Sequence, residues 1–366
     1  MNYSRKPNQA EAEQRLDAFW AGSSLGRPAV YALVLNPEHE PRPYEGSEPS
    51  KHEEDLNPAR RAWNAVDCLD GGLFLAEAMP SVHVNIGSGL AFLPVLAGGK
   101  YAYDGAQAWI EADSDLLSKS LPCFDPANAN VRKLDACFAA IREAIGVRGF
   151  VNPPMMLDPL TALSQMLGAE ATAMGLISDR DRVVAWIDAL TDLHVAAFRH
   201  YCELAGNAHS VVFYGPTTTG SAEALQCDFA VMLSPEMFGE FVMPSLQRIA
   251  AEMSQTLYHL DGVEQMRFLD QLQAIPNLKG IQWNPQTDYG KPSRHLDALK
   301  EIRRRGLVLH LSVDDGEEAV RVARELGPDG LFLRFRSVFE TREKAEEALE
   351  CVACAAHYAD TQTCGK

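Results

Sequence analysis

The chain has 366 residues and carries a formal net charge of −17 at pH 7. Such an acidic protein repels polyanions, which argues against a nucleic-acid partner and against binding to an anionic membrane surface. No apolar run approaches the ~18 residues that cross a bilayer, and residues 1–10 are too polar for a signal peptide. The eight cysteines have no framework spacing, so reduced thiols are the expectation. We therefore expect a soluble, cytoplasmic protein.

Short apolar runs, each predicted to be a strand, recur along the chain with helix-patterned segments between most of them. The runs cover residues 30–35, 82–86, 149–153, 210–215, 256–261, 280–284, 307–313 and 331–337. Amphipathic stretches at residues 264–274, 293–305 and 317–326 have the length that a parallel crossover requires. This alternation predicts an α/β fold: a single (β/α)8 TIM barrel over residues 1–366, with loop insertions and an N-terminal helical extension over residues 1–28.

The alternative to a barrel is an open, doubly wound sheet. That fold more often places a Gly-rich phosphate loop after its first strand. Here the first run leads into Asn36, Pro37, Glu38 and His39, which form no such loop. Residues 38–57 are rich in Pro, Glu, Ser and His. They predict a long exposed loop, which is either a lid over the barrel mouth or an ordinary surface insertion.

The fifth predicted strand ends in the most informative stretch, in which one residue separates His259 from Asp261. Alternate side chains of a strand share a face, so this imidazole and this carboxylate point the same way. In a β/α barrel the carboxyl ends of the strands form the functional face. Three interpretations stay open: a divalent metal site, an acid–base pair in which Asp261 orients His259, or a structural ion pair.

Other polar side chains fall near the ends of predicted strands, at the expected barrel mouth. On the eighth run Arg334 and Arg336 share one face. If that face looks inward, it binds a carboxylate or phosphate; otherwise these arginines neutralise nearby acids. The candidates for substrate binding are His83, Asn85, Gln226, Gln282, Asn284, Arg334 and Arg336, and the candidates for catalysis are Tyr214, Asp228 and His310.

The segment after the fourth predicted strand contains a helix start and a loop carboxylate. Ser234 followed by Pro235 is typical of a helix start, with the serine as N-cap. Pro244 is expected to kink or split the helix that follows. Asp228 precedes this helix in a loop at the expected functional face, where it is either a functional carboxylate or an ordinary turn residue.

Three segments together resemble the uroporphyrinogen decarboxylase superfamily. They are residues 226–244, residues 257–262 (Leu-Tyr-His-Leu-Asp-Gly) and residues 281–285 (Ile-Gln-Trp-Asn-Pro). The most specific shared feature is the pattern Leu-Ser-Pro-x-x-Phe-x-x-Phe-x-x-Pro at residues 233–244. The superfamily contains porphyrinogen decarboxylases and cobalamin-linked methyltransferases, all on a β/α barrel. The resemblance therefore implies this fold for most of the chain.

Two departures from the patterns of this superfamily bear on the reaction. The porphyrinogen decarboxylases carry a paired-Arg segment after the first strand, and residues 27–37 contain no such pair. The zinc methyltransferases carry His-x-Cys on the fifth strand, where this chain has His259 and Asp261. The resemblance thus implies a methyltransferase-like site in which His259, Asp261 and Cys227 bind a divalent metal, zinc before others. A carboxylate in place of a thiolate is expected to weaken that binding.

The leading interpretation is an enzyme that moves a methyl group between a small substrate and a carrier. The carrier is a thiol, or a corrinoid held by a partner protein. The first alternative is a metal-free lyase that decarboxylates a porphyrinogen or another small carboxylate. In it, Asp228 or Asp261 stabilises a cationic intermediate, and His259 or His310 delivers a proton. The second alternative is a non-catalytic barrel that binds a ligand.

A homodimer is the expected assembly, because one predicted helix carries surplus apolar side chains. Met237, Phe238, Phe241 and Met243 supply more apolar surface than a single helical stripe requires. The alternative is that these side chains pack beneath residues 38–57 of the same chain.

Overall fold

The computed structural model describes residues 2–46, 51–86, 92–104, 107–206, 208–286 and 290–363. The strands are β1 (Ala29–Leu35), β2 (Gly72–Ala76), β3 (Ser81–His83), β4 (Tyr101–Asp104), β5 (Gln107–Ile110), β6 (Phe150–Asn152), β7 (His209–Val211), β8 (Thr217–Thr219), β9 (Leu225–Gln226), β10 (Thr256–Asp261), β11 (Leu278–Asn284), β12 (Val308–Val313) and β13 (Leu331–Phe335).

Helices lie between most of these strands. The α-helices are α1 (Gln9–Trp20), α2 (Lys51–Asp55), α3 (Pro58–Gly71), α4 (Phe92–Leu96), α5 (Ala129–Ile145), α6 (Pro159–Leu167), α7 (Ala169–Ser178), α8 (Arg180–Ala205), α9 (Pro235–Phe241), α10 (Met243–Ala250), α11 (Leu269–Leu272), α12 (Leu296–Arg304), α13 (Gly316–Leu326) and α14 (Arg342–Thr363). Short 3-10 helices cover Leu116–Ser118, Asp228–Met232, Val263–Phe268 and Pro292–His295.

Seven strands form one hydrogen-bonded sheet in the order β2-β1-β13-β12-β11-β10-β9. All of its pairings are parallel except that of β1 with the antiparallel edge strand β2. Successive strands from β9 to β13 are neighbours, and β13 returns to pair with β1, the first strand of the chain. That return is the signature of a barrel, because a doubly wound sheet reverses its strand order instead. The described chain is therefore a mixed α/β protein with a barrel-like parallel wall.

The other predicted strands stand outside this sheet. β3 pairs in parallel with β6, and β7 turns back into an antiparallel hairpin with β8. The side chain of Asn152 joins the two pairs: it accepts a hydrogen bond from the Val211 nitrogen at 2.6 Å and donates to the Val211 oxygen at 3.3 Å. Beside β10, the place expected for the fourth strand is taken by β9. The described strands thus enclose an interior without forming a ring closed by hydrogen bonds.

Helix α1 of the N-terminal segment closes one end of this interior. Buried residues of α1 recur at helical spacing: Gln9, Ala12, Leu16, Phe19 and Trp20. All of these except Gln9 join one apolar cluster with Ala29, Phe150, Val211, Leu257, Val308 and Phe332, which come from six different strands. Six strands can share one cluster only if they surround it. The Trp20 indole also donates a hydrogen bond to the Thr217 oxygen at 2.9 Å, which ties the helix to the hairpin.

Local helix signals in the sequence were largely confirmed. The Ser234 hydroxyl accepts a hydrogen bond from the Met237 nitrogen at 3.2 Å and caps α9, which begins at Pro235. One helix ends at Phe241 and the next begins at Met243, so Pro244 lies at the predicted break. The helix expected over residues 264–274 is instead a 3-10 helix followed by the single turn α11.

The segment expected to be an exposed loop is partly structured. Residues 47–50 lie outside the described residues, but α2 follows them, and Asp55 and Leu56 are buried. Asp55 accepts a hydrogen bond from the Tyr103 hydroxyl and pairs with Arg61 of α3 at 3.4 Å. These contacts attach the described part to the body of the chain.

The apolar residues that suggested a dimer pack against other residues of the same chain. Phe238 is 0% exposed and stacks on Phe268 with ring centres 4.2 Å apart, and Phe241 and Met243 are also buried. Self-association therefore stays a prediction without these side chains as its basis. Among the described residues, no helix is both long enough and apolar enough to span a bilayer.

Helix α1, which closes one end of the interior as a plug, gives a stability prediction. Phe19 is 1% exposed and packs on Trp20 and Phe332. We expect Phe19→Ala to lower the free energy of unfolding by about 3–5 kcal/mol, because a large buried ring is lost and a cavity remains. Urea denaturation measures this. The matched control is Trp109→Ala, whose ring is 60% exposed and whose loss should change stability by less than ~0.5 kcal/mol. Equal effects of the two substitutions would contradict a buried plug.

Candidate functional site

Parallel register places polar side chains side by side across the sheet. His259 of β10 lies beside Gln226 of β9 and Gln282 of β11. Gln282 in turn lies beside His310 of β12. Residues in register project to the same side of a sheet, so these four form one row facing the interior. All four were candidate site residues in the sequence analysis, but their position side by side appears only in the structure.

A second row follows, nearer the carboxyl ends of the strands. Asp261 lies beside Asn284, and its Oδ1 accepts a hydrogen bond from the Asn284 amide at 2.7 Å. Farther round the wall, Arg334 of β13 lies between Ser312 and Tyr31. The first row marks the level of His259, and the second carries charged groups at the end where barrel chemistry takes place.

Asp228 completes a compact cluster with His259 and Asp261. Candidate ligand atoms of these three side chains all lie within 4.8 Å of one another. Asp228 begins the 3-10 helix that follows β9, two residues beyond Gln226. Because Gln226 is in register with His259, the chain brings Asp228 to the level of Asp261. The carboxylate of Asp228 therefore lies next to His259 and Asp261, although the sequence analysis identified the loop residue and the strand-end pair separately.

The His259 ring is held on two sides. Its Nδ1 forms a hydrogen bond with Oε1 of Gln282, and the Phe213 ring stacks on it at 4.0 Å with an interplanar angle of 17°. A carbonyl acceptor on Nδ1 selects the tautomer that leaves Nε2 with a free lone pair. The arrangement orients His259 as a ligand or base toward the two carboxylates.

Burial sets the charge state of this cluster. It lowers the pKa of His259, against the opposing effects of the Gln282 hydrogen bond and the Asp228 and Asp261 carboxylates, so the neutral imidazole is favoured. Burial, with Asp158 and Asp261 nearby, raises the pKa of Asp228 to about 6. The site therefore combines a neutral imidazole with two acids that repel each other, and a cation would relieve this repulsion.

The thiol of Cys227 lies outside this cluster, contrary to the expectation that it would be a ligand. Its backbone is extended, with φ −154° and ψ 97°, so its side chain and that of Asp228 project in opposite directions. The Thr161 hydroxyl donates a hydrogen bond to its sulfur at 3.9 Å, and burial raises its pKa well above the usual range. Cys227 is a buried, protonated thiol on the far side of β9.

A strained hairpin tip covers the cluster. Phe213 and Tyr214 have φ of 47° and 54°, and the Gly215 nitrogen donates to the Val212 oxygen at 3.1 Å. This is a type I′ turn, which normally carries Asn or Gly because side chains resist positive φ. Strain of this kind costs of order 1–3 kcal/mol per residue and collects at functional sites. No sequence signal marked Phe213, because Phe-Tyr is an unusual pair for this turn.

Two substrate candidates of the second run, His83 and Asn85, lie beside Tyr214 of this tip, which was predicted as a catalytic residue. The Tyr214 ring lies 5.0 Å from that of His83, and a hydrogen bond with Asn85 opposes the effect of burial, which raises the Tyr214 pKa. Burial and the charge of Arg334 lower the pKa of His83 to about 4. The cavity that His83 and Tyr214 help to line has a volume of only about 10 Å³, so this part of the interior is filled by side chains.

Arg334 of β13 and Arg336, which follows the end of that strand, have different surroundings. Burial lowers the pKa of Arg334, and its neighbours include Tyr31 and Tyr214, so it faces the interior. Arg336 is 46% exposed and pairs with Asp314 at 3.3 Å, which places it at the rim. Arg336 therefore neutralises an acid, which was one of the two alternatives raised from the sequence, and anion binding by Arg334 stays a prediction.

No family model matches the chain. A stretch of 110 residues is 29% identical to the methylated-thiol–coenzyme M methyltransferase of Methanosarcina mazei. This stretch is 30% of the chain and covers 27% of that enzyme, so the chain spans about a quarter of the curated relative that it matches.

Solved structures give a longer match at lower identity. A methyltransferase from Methanosarcina mazei superposes with a TM-score of 0.61 and 15% identity, over 94% of this chain and 98% of that one. At such low identity the likeness shows the fold alone. A B12-independent methionine synthase from Shewanella sp. W3-18-1 matches with a TM-score of 0.32 and 10% identity, over 63% and 68%, which carries no argument. The chain is thus similar to methyltransferases in fold and in part of its sequence. The superfamily that the sequence resembles is consistent with the sequence match and the structural match to Methanosarcina mazei methyltransferases, although neither names it.

The Asp228 carboxyl gives a pH-dependent prediction for the metal-free protein. Because its pKa is raised from 3.8 to about 6, the folded chain holds a proton that the unfolded chain releases between about pH 4 and pH 6. Stability should therefore fall as the pH rises through this window. We expect Asp228→Asn to remove this fall, so the variant gains stability over the unaltered protein at pH 7 but not at pH 4.

Urea denaturation at the two pH values measures this difference. The control is Asp17→Asn, an exposed carboxylate of α1, which should shift stability little at either pH. A gain for Asp228→Asn that is the same at pH 4 and pH 7 would show that the carboxyl is not perturbed.

Proposed function

We propose that this chain is a methyltransferase that transfers a methyl group between a small substrate and a carrier at the Asp228–His259–Asp261 cluster. The observation that carries the proposal is the convergence of these three side chains within 4.8 Å at the carboxyl ends of a barrel-like wall. That wall belongs to a fold shared with a methyltransferase from Methanosarcina mazei. The partial sequence match to a thiol-directed methyltransferase supports the same activity.

A divalent metal fits the donors of this cluster. One imidazole and two carboxylates are ligands that zinc and harder divalent ions accept. His259 keeps Nε2 free because Gln282 occupies Nδ1, and Asn284 holds Asp261. Such partners orient metal ligands in known sites. Three protein ligands leave open coordination positions, which is typical of a catalytic metal. The cluster therefore suits zinc, with weaker and more exchangeable binding than a thiolate site.

A bound ion would supply Lewis acidity that favours the thiolate form of a thiol near neutral pH. The residues of the chain do the remaining work. Gln282 and Phe213 fix the His259 ring, and Asn284 fixes Asp261. In the metal-free chain the pKa of Asp228 is raised to about 6, so this carboxyl is mostly ionised at neutral pH and is then an anionic ligand for the cation. Tyr214 and His310, proposed from the sequence, line the interior close by.

The carrier in this proposal is a thiol, or a corrinoid held by a partner protein. The name of the partial relative, a methylated-thiol–coenzyme M methyltransferase, favours a thiol. The relatives provide no support for the decarboxylase alternative. A corrinoid partner and self-association stay predictions, which assays with each acceptor and light scattering would test.

Metal content tests the site directly. After reconstitution with zinc and dialysis, we expect about one zinc ion per chain in the unaltered protein and loss of that zinc in His259→Ala, because each remaining carboxylate is a poor ligand alone. Cys227→Ala is the matched control and should retain zinc, since its thiol faces away from the cluster. Elemental analysis decides the outcome. Retention by His259→Ala, or loss only in Cys227→Ala, would remove the proposed metal site.

Methyl transfer tests the activity. Zinc-loaded protein is incubated with a methylated thiol and with coenzyme M or cob(I)alamin as acceptor, and methylated product is measured by mass spectrometry. Gln282→Leu should reduce the rate by about 10–100-fold, because the ring of His259 loses the hydrogen bond that orients it. Arg199→Met, which removes an exposed ion pair with Glu252 on the outside of the barrel, serves as control. If no acceptor receives a methyl group, the proposed methyltransferase function is wrong.

A further inference from the structure

The tip of the β7–β8 hairpin, residues 212–216, lies among the imidazoles of the interior. The Phe213 ring stacks on that of His259 with ring centres 4.0 Å apart, and the Tyr214 ring lies 5.0 Å from that of His83. These two imidazoles come from β10 and β3, which belong to different sheets. One short turn therefore covers side chains that distant parts of the fold supply.

The same turn closes over His310 of β12. Gly215 packs so closely against this imidazole that a Cβ there would collide with it. The ring is 0% exposed, and neither of its nitrogens has a hydrogen-bond partner in the described part of the chain. Most buried polar groups are hydrogen-bonded, so such a ring is an exception that calls for an explanation. Movement of the tip would bring both nitrogens into contact with water or with a ligand.

The tip in this position leaves little room for a substrate. The cavity beside His83 and Tyr214 has a volume of about 10 Å³, which is close to the minimum for one water, whereas small-molecule sites measure roughly 300–1,000 Å³. Asp228 and Asp261 stay partly exposed, but His259 is only 7% exposed. A small cation can therefore reach the carboxylates in this conformation, whereas a larger molecule requires the tip to move.

The base of the hairpin is anchored on both strands. At the end of β7, the Asn152 side chain accepts a hydrogen bond from the Val211 nitrogen at 2.6 Å. At the start of β8, the Trp20 indole donates a hydrogen bond to the Thr217 oxygen at 2.9 Å. These two contacts fix the residues on either side of the tip, so a movement of the tip is confined to residues 212–216.

Opposed forces act on the tip itself. Two main-chain hydrogen bonds close it, from the Val212 nitrogen to the Pro216 oxygen at 2.9 Å and from the Gly215 nitrogen to the Val212 oxygen at 3.1 Å. Phe213 and Tyr214 have φ of 47° and 54°, a region that side chains resist, so the backbone disfavours the conformation that the ring contacts favour. An element with such opposed terms changes state when a ligand replaces its contacts.

From these observations we propose that residues 212–216 form a gate, closed in this structure, which opens on the fixed base of the hairpin to admit the substrate. In the open state Phe213 and Tyr214 return to negative φ, and their rings leave His259 and His83. The substrate then takes the space that the rings have left. This inference rests on the proposed function, because it assigns the control of access to the same site.

Chemical modification of His310 measures the opening of the gate. Diethyl pyrocarbonate acylates neutral imidazoles, and burial lowers the pKa of His310 well below its usual value, so the ring is neutral near pH 7. His194 of α8 is the matched reference, since it is 2% exposed and its Nδ1 also lacks a partner among the described residues. Peptide mass spectrometry follows the modification of each ring at urea concentrations below the unfolding transition.

We expect the rate for His310 in the unaltered protein to be independent of urea in this range, because local opening of the gate exposes little new surface. The rate for His194 should rise with urea, because only unfolding of the whole chain exposes it. An equal rise of both rates, or no modification of His310 before the chain unfolds, would overturn the gate.

Gly215→Ala tests the same element by substitution. Its Cβ would collide with His310 in the closed position, so we expect at least tenfold faster modification of His310 and a rate within twofold of the original for His194. Gly316→Ala is the matched control, because a Cβ there meets Ala348 at 3.8 Å, an ordinary contact, and both rates should stay within twofold. An unchanged rate for His310 in Gly215→Ala would contradict the gate. If this variant does not fold, the urea dependence in the unaltered protein decides alone.

The outcomes also separate this inference from the proposed function. A rate for His310 that is independent of urea, without methyl transfer, would leave the gate standing and remove the methyltransferase. Methyl transfer by a protein in which His310 reacts only on unfolding would do the reverse.

Discussion

The parallel register of four neighbouring strands is the constraint on which the site depends. His259 is aligned with Gln226 and Gln282, and Gln282 with His310. A shift of one residue in any of these pairings would turn its side chains away from the interior, because the side-chain period of a strand is two. Main-chain hydrogen bonds throughout the wall therefore hold the functional groups in place. The orientation of His259 through Gln282 follows directly from this alignment.

Polarity is divided along the axis of the interior. Near the amino ends of the strands, the residues from six strands are apolar and close around helix α1, which seals that end. Toward the carboxyl ends, the interior holds the Asp228–His259–Asp261 cluster and the cationic group around Arg334. The apolar end supplies stability, and it allows the polar end to keep buried charges and an unpartnered imidazole. The strained tip of the β7–β8 hairpin is a further local departure from low energy, and it too lies at the polar end.

The two polar groups have opposite electrostatic requirements. Two carboxylates close to one imidazole attract a cation, whereas the partly buried guanidinium of Arg334 places a positive charge elsewhere in the same interior.

The sequence by itself determined the strand-and-helix alternation, the helix start at Ser234 and the shared face of His259 and Asp261, because these depend on local periodicity and capping. It also identified Asp228 and Arg334 as candidates. Only the tertiary structure decided that Asp228 joins the pair while Cys227 turns away, since this depends on the pairing of β9 with β10. The hairpin at Phe213 and Tyr214 was missed because its turn residues are atypical and its strain is compensated by packing on His259 and His83. Contacts between residues distant in sequence leave no local pattern, and they therefore appear only when the chain is folded.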